Sequence, residues 1–347
     1  VMSRAEGLMD SLLGFSLLAG LGLGLGFFLP TQTLGTNWFL RYRATALAIL
    51  MTAGGVIGKF VPSFGADMAA DAGWRQVWVV VSACSIGVAL LALILVRNTP
   101  ESIGLLPDWR SENTIETGER STAAEAQHAT ADATSLDPDW EPKAALRTPH
   151  FIALTFCAIA FATPWGVAVA HGSLHLTDLD FSETTVGAVM GWMILVSIFG
   201  RLSGLVGDWI PPQRALAIAL ALEALGTIGF LWAPSPNVAL ASAIALGLGF
   251  GAAYVCVAAT FGAFFGRRAF SVTMGTRMAL TGLINAAMPV IAGRFFDQTG
   301  SYTIPFVALG VITFTGAIIA WVLKAPVPPK PVPSTSSPTT AQIPPST

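Results

Sequence analysis

Six ionisable side chains interrupt long apolar stretches of this chain, and their types limit the chemistry open to them. Arg201 stands in Ile198-Phe199-Gly200-Arg201-Leu202-Ser203-Gly204, near the end of an apolar run at 186–207. Arg277 lies seven residues into the run 270–294, and Lys59 lies beyond the middle of the run 44–68. Glu223 is the acid well inside a run, and His171 and His175 close another. A charge at membrane depth costs several kcal/mol unless something pairs with it, and such residues face a protein interior or a watery cavity. A guanidinium is a planar fork of donors that grips a carboxylate through two parallel hydrogen bonds, more strongly where the dielectric is low. At 1.5 Å per helical residue, Arg277 lies roughly 10 Å from the near end of its run, and Arg201 lies at a similar depth in its own. Two cations in one layer point to an anionic ligand, up to a dicarboxylate.

Each residue also has a structural reading. Arg201 could snorkel to the membrane face or form a latch with Asp208, and Arg277 could bond backbone carbonyls or reach the same face. Lys59, which loses its proton readily when desolvated, is a substrate or gate contact or else a cation reaching toward Asp67. Glu223 is a buried, protonated carboxyl or a proton-coupling group. His171 and His175, near Asp178 and Asp180, are proton carriers or solvated interface histidines.

The elements that must position these groups are membrane helices. The chain is 53% hydrophobic and 11% charged, where a soluble domain carries about 25% charged residues. Its apolar residues fall in runs of about 20, enough for a helix to cross roughly 30 Å of hydrocarbon. The alternation that marks membrane strands is missing. The fold class is therefore all-α and polytopic, with nine expected spans at 11–33, 44–68, 76–97, 150–172, 186–207, 214–233, 237–261, 270–294 and 303–323. Ten of the 20 acidic residues lie between Glu101 and Glu141, so 99–148 reads as an acidic, disordered linker. The Pro-, Ser- and Thr-rich tail 325–347 reads the same way. Cys84, Cys157 and Cys256 sit inside apolar runs as small hydrophobes. No nucleophile–base pair, metal cluster, cofactor loop or nucleic-acid patch stands out. An enzyme is not expected, nor a cofactor, nor a nucleic-acid partner; the expected partners are a small anion and membrane lipid.

Loop charge sets orientation. Twelve Lys and Arg, among them Arg41, Arg97, Arg147, Arg267 and Lys324, fall on the side of the C-terminal tail, against Arg4, Arg75 and Arg294 opposite. The C-terminus is expected in the cytoplasm, and compact loops without sorting signals point to a bacterial inner membrane. The spans also repeat. Trp38-Phe39-Leu40-Arg41-Tyr42-Arg43-Ala44 corresponds to Phe264-Phe265-Gly266-Arg267-Arg268-Ala269-Phe270, and about 227 residues separate Gly55 from Gly282, Pro62 from Pro289 and Gly73 from Gly300. Spans one to three thus repeat as spans seven to nine in the same orientation, a mark of a transporter. The first half, 1–98, has three spans and the second, 149–324, has six. Three further helices are expected before Val1, out of a total of twelve.

These motifs carry a resemblance. Trp38-Phe39 with Arg41 and Arg43, Gly73-Trp74-Arg75, Thr99-Pro100-Glu101 with Gly104 and Pro107-Asp108, Gly200-Arg201 with Gly204 and Asp208, Phe265-Gly266-Arg267-Arg268, and Pro289 with Gly293, Asp297 and Gly300 make the chain similar to transporters of the major facilitator superfamily. The nearest branch is that of the monocarboxylate porters and oxalate–formate antiporters. The resemblance implies alternating access around a mid-membrane site between two halves. It implies that Arg201, on the equivalent of the eighth helix, takes a substrate carboxylate with Arg277 assisting. Some relatives carry an aspartate one turn before that arginine for proton coupling; Ser197 stands here, which weakens proton symport through this helix and leaves coupling open. Gly204, Asp208 and Arg214 match a gate latch. Lys59, Trp165, Trp192, Tyr254 and Asn285 are candidates to line the pocket, with Pro164 a candidate kink and Gly22, Gly24 and Gly26 allowing close helix packing. The expected activity is secondary transport of a mono- or dicarboxylate. The alternatives are a drug or metabolite exporter of the same superfamily, and a truncated, non-transporting fragment or membrane sensor.

Overall fold

The computed structural model describes residues 2–111, 138, 140–204 and 209–327, without the side chains of 54–63, 65–67 and 109–111. Its long helical segments among these residues are α1 (Leu8–Trp38), α2 (Arg43–Ala72), α3 (Trp74–Leu95), α4 (Pro149–Asp178), α5 (Glu183–Arg201), α6 (Pro212–Leu231), α7 (236–265), α8 (267–299) and α9 (Thr303–Val322). Each expected span falls on one of them. Seven helices, with α7 and α8 counted as a single 64-residue run, are long and apolar enough to cross a bilayer. Most of α2 lacks described side chains, although its backbone is helical for 30 residues.

Local chemistry sets the boundaries. Thr148 starts α4, its Oγ1 accepting from the Phe151 N–H at 3.1 Å, and Ser182 starts α5 in the same way through Thr185; both satisfy amide groups that a helix start leaves open. Gly266, at φ 68° and ψ 179°, breaks α7 from α8 in a region that side chains with a Cβ avoid. α5 is shorter than the expected 186–207. Its last turn tightens, with Leu202 N–H on Phe199 O and Ser203 N–H on Gly200 O, so Arg201 becomes the final residue of the helix. Pro164 is accommodated inside α4.

Small residues let the second half close. A Cβ at Gly251 would strike the Ser197 carbonyl, one at Gly247 the Met193 carbonyl, and one at Gly200 the Leu248 carbonyl. α5 and α7 therefore touch backbone to backbone, the contact that small residues permit between membrane helices. The Thr313 hydroxyl on α9 bonds Ala160 O on α4 at 2.8 Å. Phe261, Phe264, Phe265 and Phe270 are fully buried at the centre. The glycines of α1 behave differently from expectation: Gly20, Gly22, Gly24 and Gly26 meet nothing within 4 Å. That stretch instead carries π-helical turns at Leu12–Ala19 and Gly24–Phe28.

The expected linker is ordered at both ends. A 3₁₀ turn at Pro100–Ile103 leads into a short antiparallel pair, Leu105–Leu106 with Arg110–Ser111, and Pro142–Leu146 is helical. Asp108 takes a left-handed backbone conformation, φ 62°, and its carboxylate accepts from the backbone N–H groups of Arg41 and Tyr42 at 3.0 and 3.4 Å. Residues 112–137 of the linker and 328–347 of the tail lie outside the described residues.

Candidate functional site

Three helices of the second half and one of the first converge on two arginines. Arg201, at the end of α5, donates through Nη1 to the Met51 carbonyl of α2 at 3.2 Å. Its guanidinium lies over the ring of Tyr254 on α7, 5.3 Å from the centroid, a cation–π contact worth about 0.5–2 kcal/mol. Arg277, on α8, is buried with its Nη2 on the Met274 sulfur at 3.8 Å. It does not snorkel to the surface. Both guanidiniums are within electrostatic reach of Tyr254. The Nε atoms of Arg201 and Arg277 are buried and lack a hydrogen-bond partner among the described residues.

An aromatic wall supports this group. Trp165 of α4 stacks on Phe250 at 4.0 Å and 8°, Phe250 adjoins Tyr254 at 6.2 Å, and Phe28 of α1 meets Tyr254 edge-on at 6.5 Å. Asn285 packs against Gly166, which leaves no room there for a Cβ, and its Oδ1 has no partner. Trp192, by contrast, is 48% exposed and points away from the core. Ser197, one turn before Arg201, spends its hydroxyl on Ile194 O at 2.7 Å.

The remaining candidates separate from this cluster. The Lys59 side chain and all of Asp208 lie outside the described residues. Gly204 packs on the Ala44 carbonyl of α2, and Arg214 lies over Trp321 of α9 at 5.9 Å. Glu223 is fully buried between α6 and Gly249 of α7, and neither carboxyl oxygen has a described partner. The histidines are not solvated interface residues. His171 bonds Tyr302 Oη at 3.1 Å and Pro289 O at 2.9 Å, and buried His175 bonds Leu231 O at 3.2 Å.

One long-range ion pair was hidden in the sequence. Arg267, at the α7–α8 turn, forms a two-pronged pair with Glu101 at 2.8 and 3.1 Å. It joins the strap after α3 to the second half at the basic end of the bundle. The Arg267 hydrogen bond holds the Glu101 carboxyl below its ordinary 4.5. The available signal was an acid directly after a span, in a loop of the same face as Arg267. Among the described residues no three metal-ligating side chains come together.

A bundle of helices long and apolar enough to cross a bilayer marks a multi-pass integral membrane protein. The Major Facilitator Superfamily model matches residues 5–269 and 176–345, and the chain belongs to that family. Human monocarboxylate transporter 11 is 25% identical over 339 residues, covering 91% of this chain and 63% of that protein. Bovine monocarboxylate transporter 13 is 24% identical over 319 residues, covering 91% and 68%. A solved superfamily proton:xylose symporter, bound to 6-bromo-6-deoxy-D-glucose, shares the fold at TM-score 0.57 and 12% identity, over 84% of this chain and 66% of that one. The chain is thus similar to the monocarboxylate branch and spans a little under two thirds of the first relative's length.

Proposed function

We propose that the chain is a secondary transporter of a small organic anion, a mono- or dicarboxylate, working by alternating access between the halves 1–98 and 149–324. The observation that carries this reading is the pair of guanidiniums within electrostatic reach of Tyr254, Arg277 buried and Arg201 half-buried, each with a buried Nε that lacks a described partner. Two desolvated cations without a carboxylate partner among the described residues are costly, and a substrate carboxylate offsets that cost through charge-assisted, bidentate hydrogen bonds. Arg201 is the primary contact and Arg277 the second, with Tyr254, Trp165 and Asn285 lining the pocket. Glu101–Arg267, with Gly204 and Arg214, closes the face that loop charge assigns to the cytoplasm. Similarity to monocarboxylate transporters supports the substrate class. Coupling to protons is a separate matter, because Ser197 cannot titrate.

Thermal stabilisation of the purified chain by a panel of carboxylates tests the reading. A ligand that binds the native state at a hundred times its Kd adds about 2.7 kcal/mol. Lactate, pyruvate, malonate or oxalate is expected to raise Tm, and Arg201→Gln to abolish the rise. Stabilisation that survives both Arg201→Gln and Arg277→Gln would sink the proposal.

A further inference from the structure

We infer that the Met51 main-chain carbonyl is a positioning acceptor for Arg201, holding the guanidinium edge-on so that its Nε–Nη2 edge is aimed at a substrate carboxylate only while α2 is closed on α5. The inference rests on the anion-site reading above. An arginine at a helix end has several rotatable bonds, and an unheld fork loses affinity to the cost of immobilising it. Here two contacts hold it. Nη1 donates to Met51 O at 3.2 Å, and the Tyr254 ring lies against the guanidinium at 5.3 Å. Nε has no partner, so the edge that grips a carboxylate side-on is the one left unused. A helical carbonyl has two lone pairs, so Met51 O can accept from Arg201 without giving up its helix bond.

The two holding contacts come from different halves. Tyr254 belongs to α7, in the same half as Arg201, whereas Met51 belongs to α2. The α2–α5 seam is tight around it: Thr45 Oγ1 bonds Gly204 O at 3.4 Å, and a Cβ on Gly204 would run into the Ala44 carbonyl. When the basic end opens, α2 leaves α5 and Arg201 loses one of its two supports. Affinity for the anion then falls on that side, which favours release. By linkage, the bound anion must tighten the seam by the same factor.

The test reads the seam and the affinity separately. In a Cys84→Ser background, where Cys157 and Cys256 are buried, a near-isosteric Thr45→Cys reports the seam through its rate of N-ethylmaleimide labelling. Saturating lactate, pyruvate, malonate or oxalate, whichever raises Tm, is expected to slow labelling about tenfold, the effect of one hydrogen bond to a charged group. Gly204→Ala, which touches neither Arg201 nor the ligand, pushes α2 off α5 and is expected to weaken the Kd from thermal titration by a similar factor. Arg201→Lys keeps the charge but cannot serve Met51 and a two-pronged carboxylate together; it is expected not to restore affinity. A carboxylate that raises Tm but leaves labelling unchanged or speeds it overturns the positioning role and leaves the anion site standing, as does full affinity in Gly204→Ala or Arg201→Lys. No Tm response to any acid overturns both readings.

Discussion

α3 and α4 read alike as sequences and behave differently as structures. The most apolar window of α3 is the more hydropathic, 2.6 against 1.9, yet none of it is buried inside the protein, where 56% of the α4 window is. α1 resembles α3, with 6% buried. Hydropathy measures the transfer of a helix into hydrocarbon, and lipid satisfies it as well as protein does. What separates the two regions is backbone approach. α5, α6 and α7 meet through Gly200, Gly226, Gly247 and Gly251, while Gly20, Gly22, Gly24 and Gly26 of α1 meet nothing within 4 Å. Most of the core lies in the second half; of the first, α2 adds Ala44, Leu47, Ala48 and Met51 to it, and α1 packs against it through Leu29.

Substitutions in the two regions break or sharpen this contrast. Gly251→Val forces a branched side chain into the Ser197 carbonyl. Its cost is expected to exceed the roughly 3 kcal/mol upper end of ordinary overpacking, so little monodisperse protein should elute on size exclusion, while Gly24→Val on α1 should behave as the parent. Recovery of both variants in equal yield would erase the distinction. Phe261→Ala, at a fully buried position, leaves a cavity and is expected to cost about 3 kcal/mol or more, read as a lowered Tm in detergent.

Glu101→Gln probes the link between the regions. Both partners are partly exposed, so the pair is worth no more than about 1 kcal/mol after solvent screening. The native-state value of Glu101 lies below its ordinary 4.5; the stabilisation is therefore complete above 4.5 and disappears as pH falls through the lowered value. Tm of the parent should drop toward that of Glu101→Gln below about pH 4.5, and the two should differ most at neutral pH. Smallest of all is Leu91→Ala on α3, 57% exposed, expected to stay within about 0.5 kcal/mol. A shift as large as that of Phe261→Ala would show that α3 is packed as tightly as the core.

Much of the candidate site was legible from residue type. Arg201 and Arg277 stand out because an arginine in an apolar run is anomalous wherever it occurs, and Tyr254 was singled out among the polar aromatics. Trp192 was singled out by the same logic and faces outward, because type alone does not say which side of a helix meets a neighbour. His171 and His175 read as proton carriers or as solvated interface histidines, and the partners Tyr302, Pro289 and Leu231 could not be seen from the sequence. Glu101 and Asp108 belonged to a recognised motif without a role. Their roles, a bridge to Arg267 and a brace for the turn at Arg41 and Tyr42, required partners 166 and 67 residues away.

The sequence by itself determined that the chain is a helical membrane protein, where its helices run and which cations interrupt them. Those properties follow from each residue's transfer energy and charge, which depend on the solvent and on near neighbours alone. Only the tertiary structure decided which glycines touch, that α5 stops at Arg201, and that this arginine leans on a carbonyl 150 residues earlier. A contact of that kind is a match between two surfaces distant in the chain, and a backbone carbonyl is the same at every residue, so no side chain announces it.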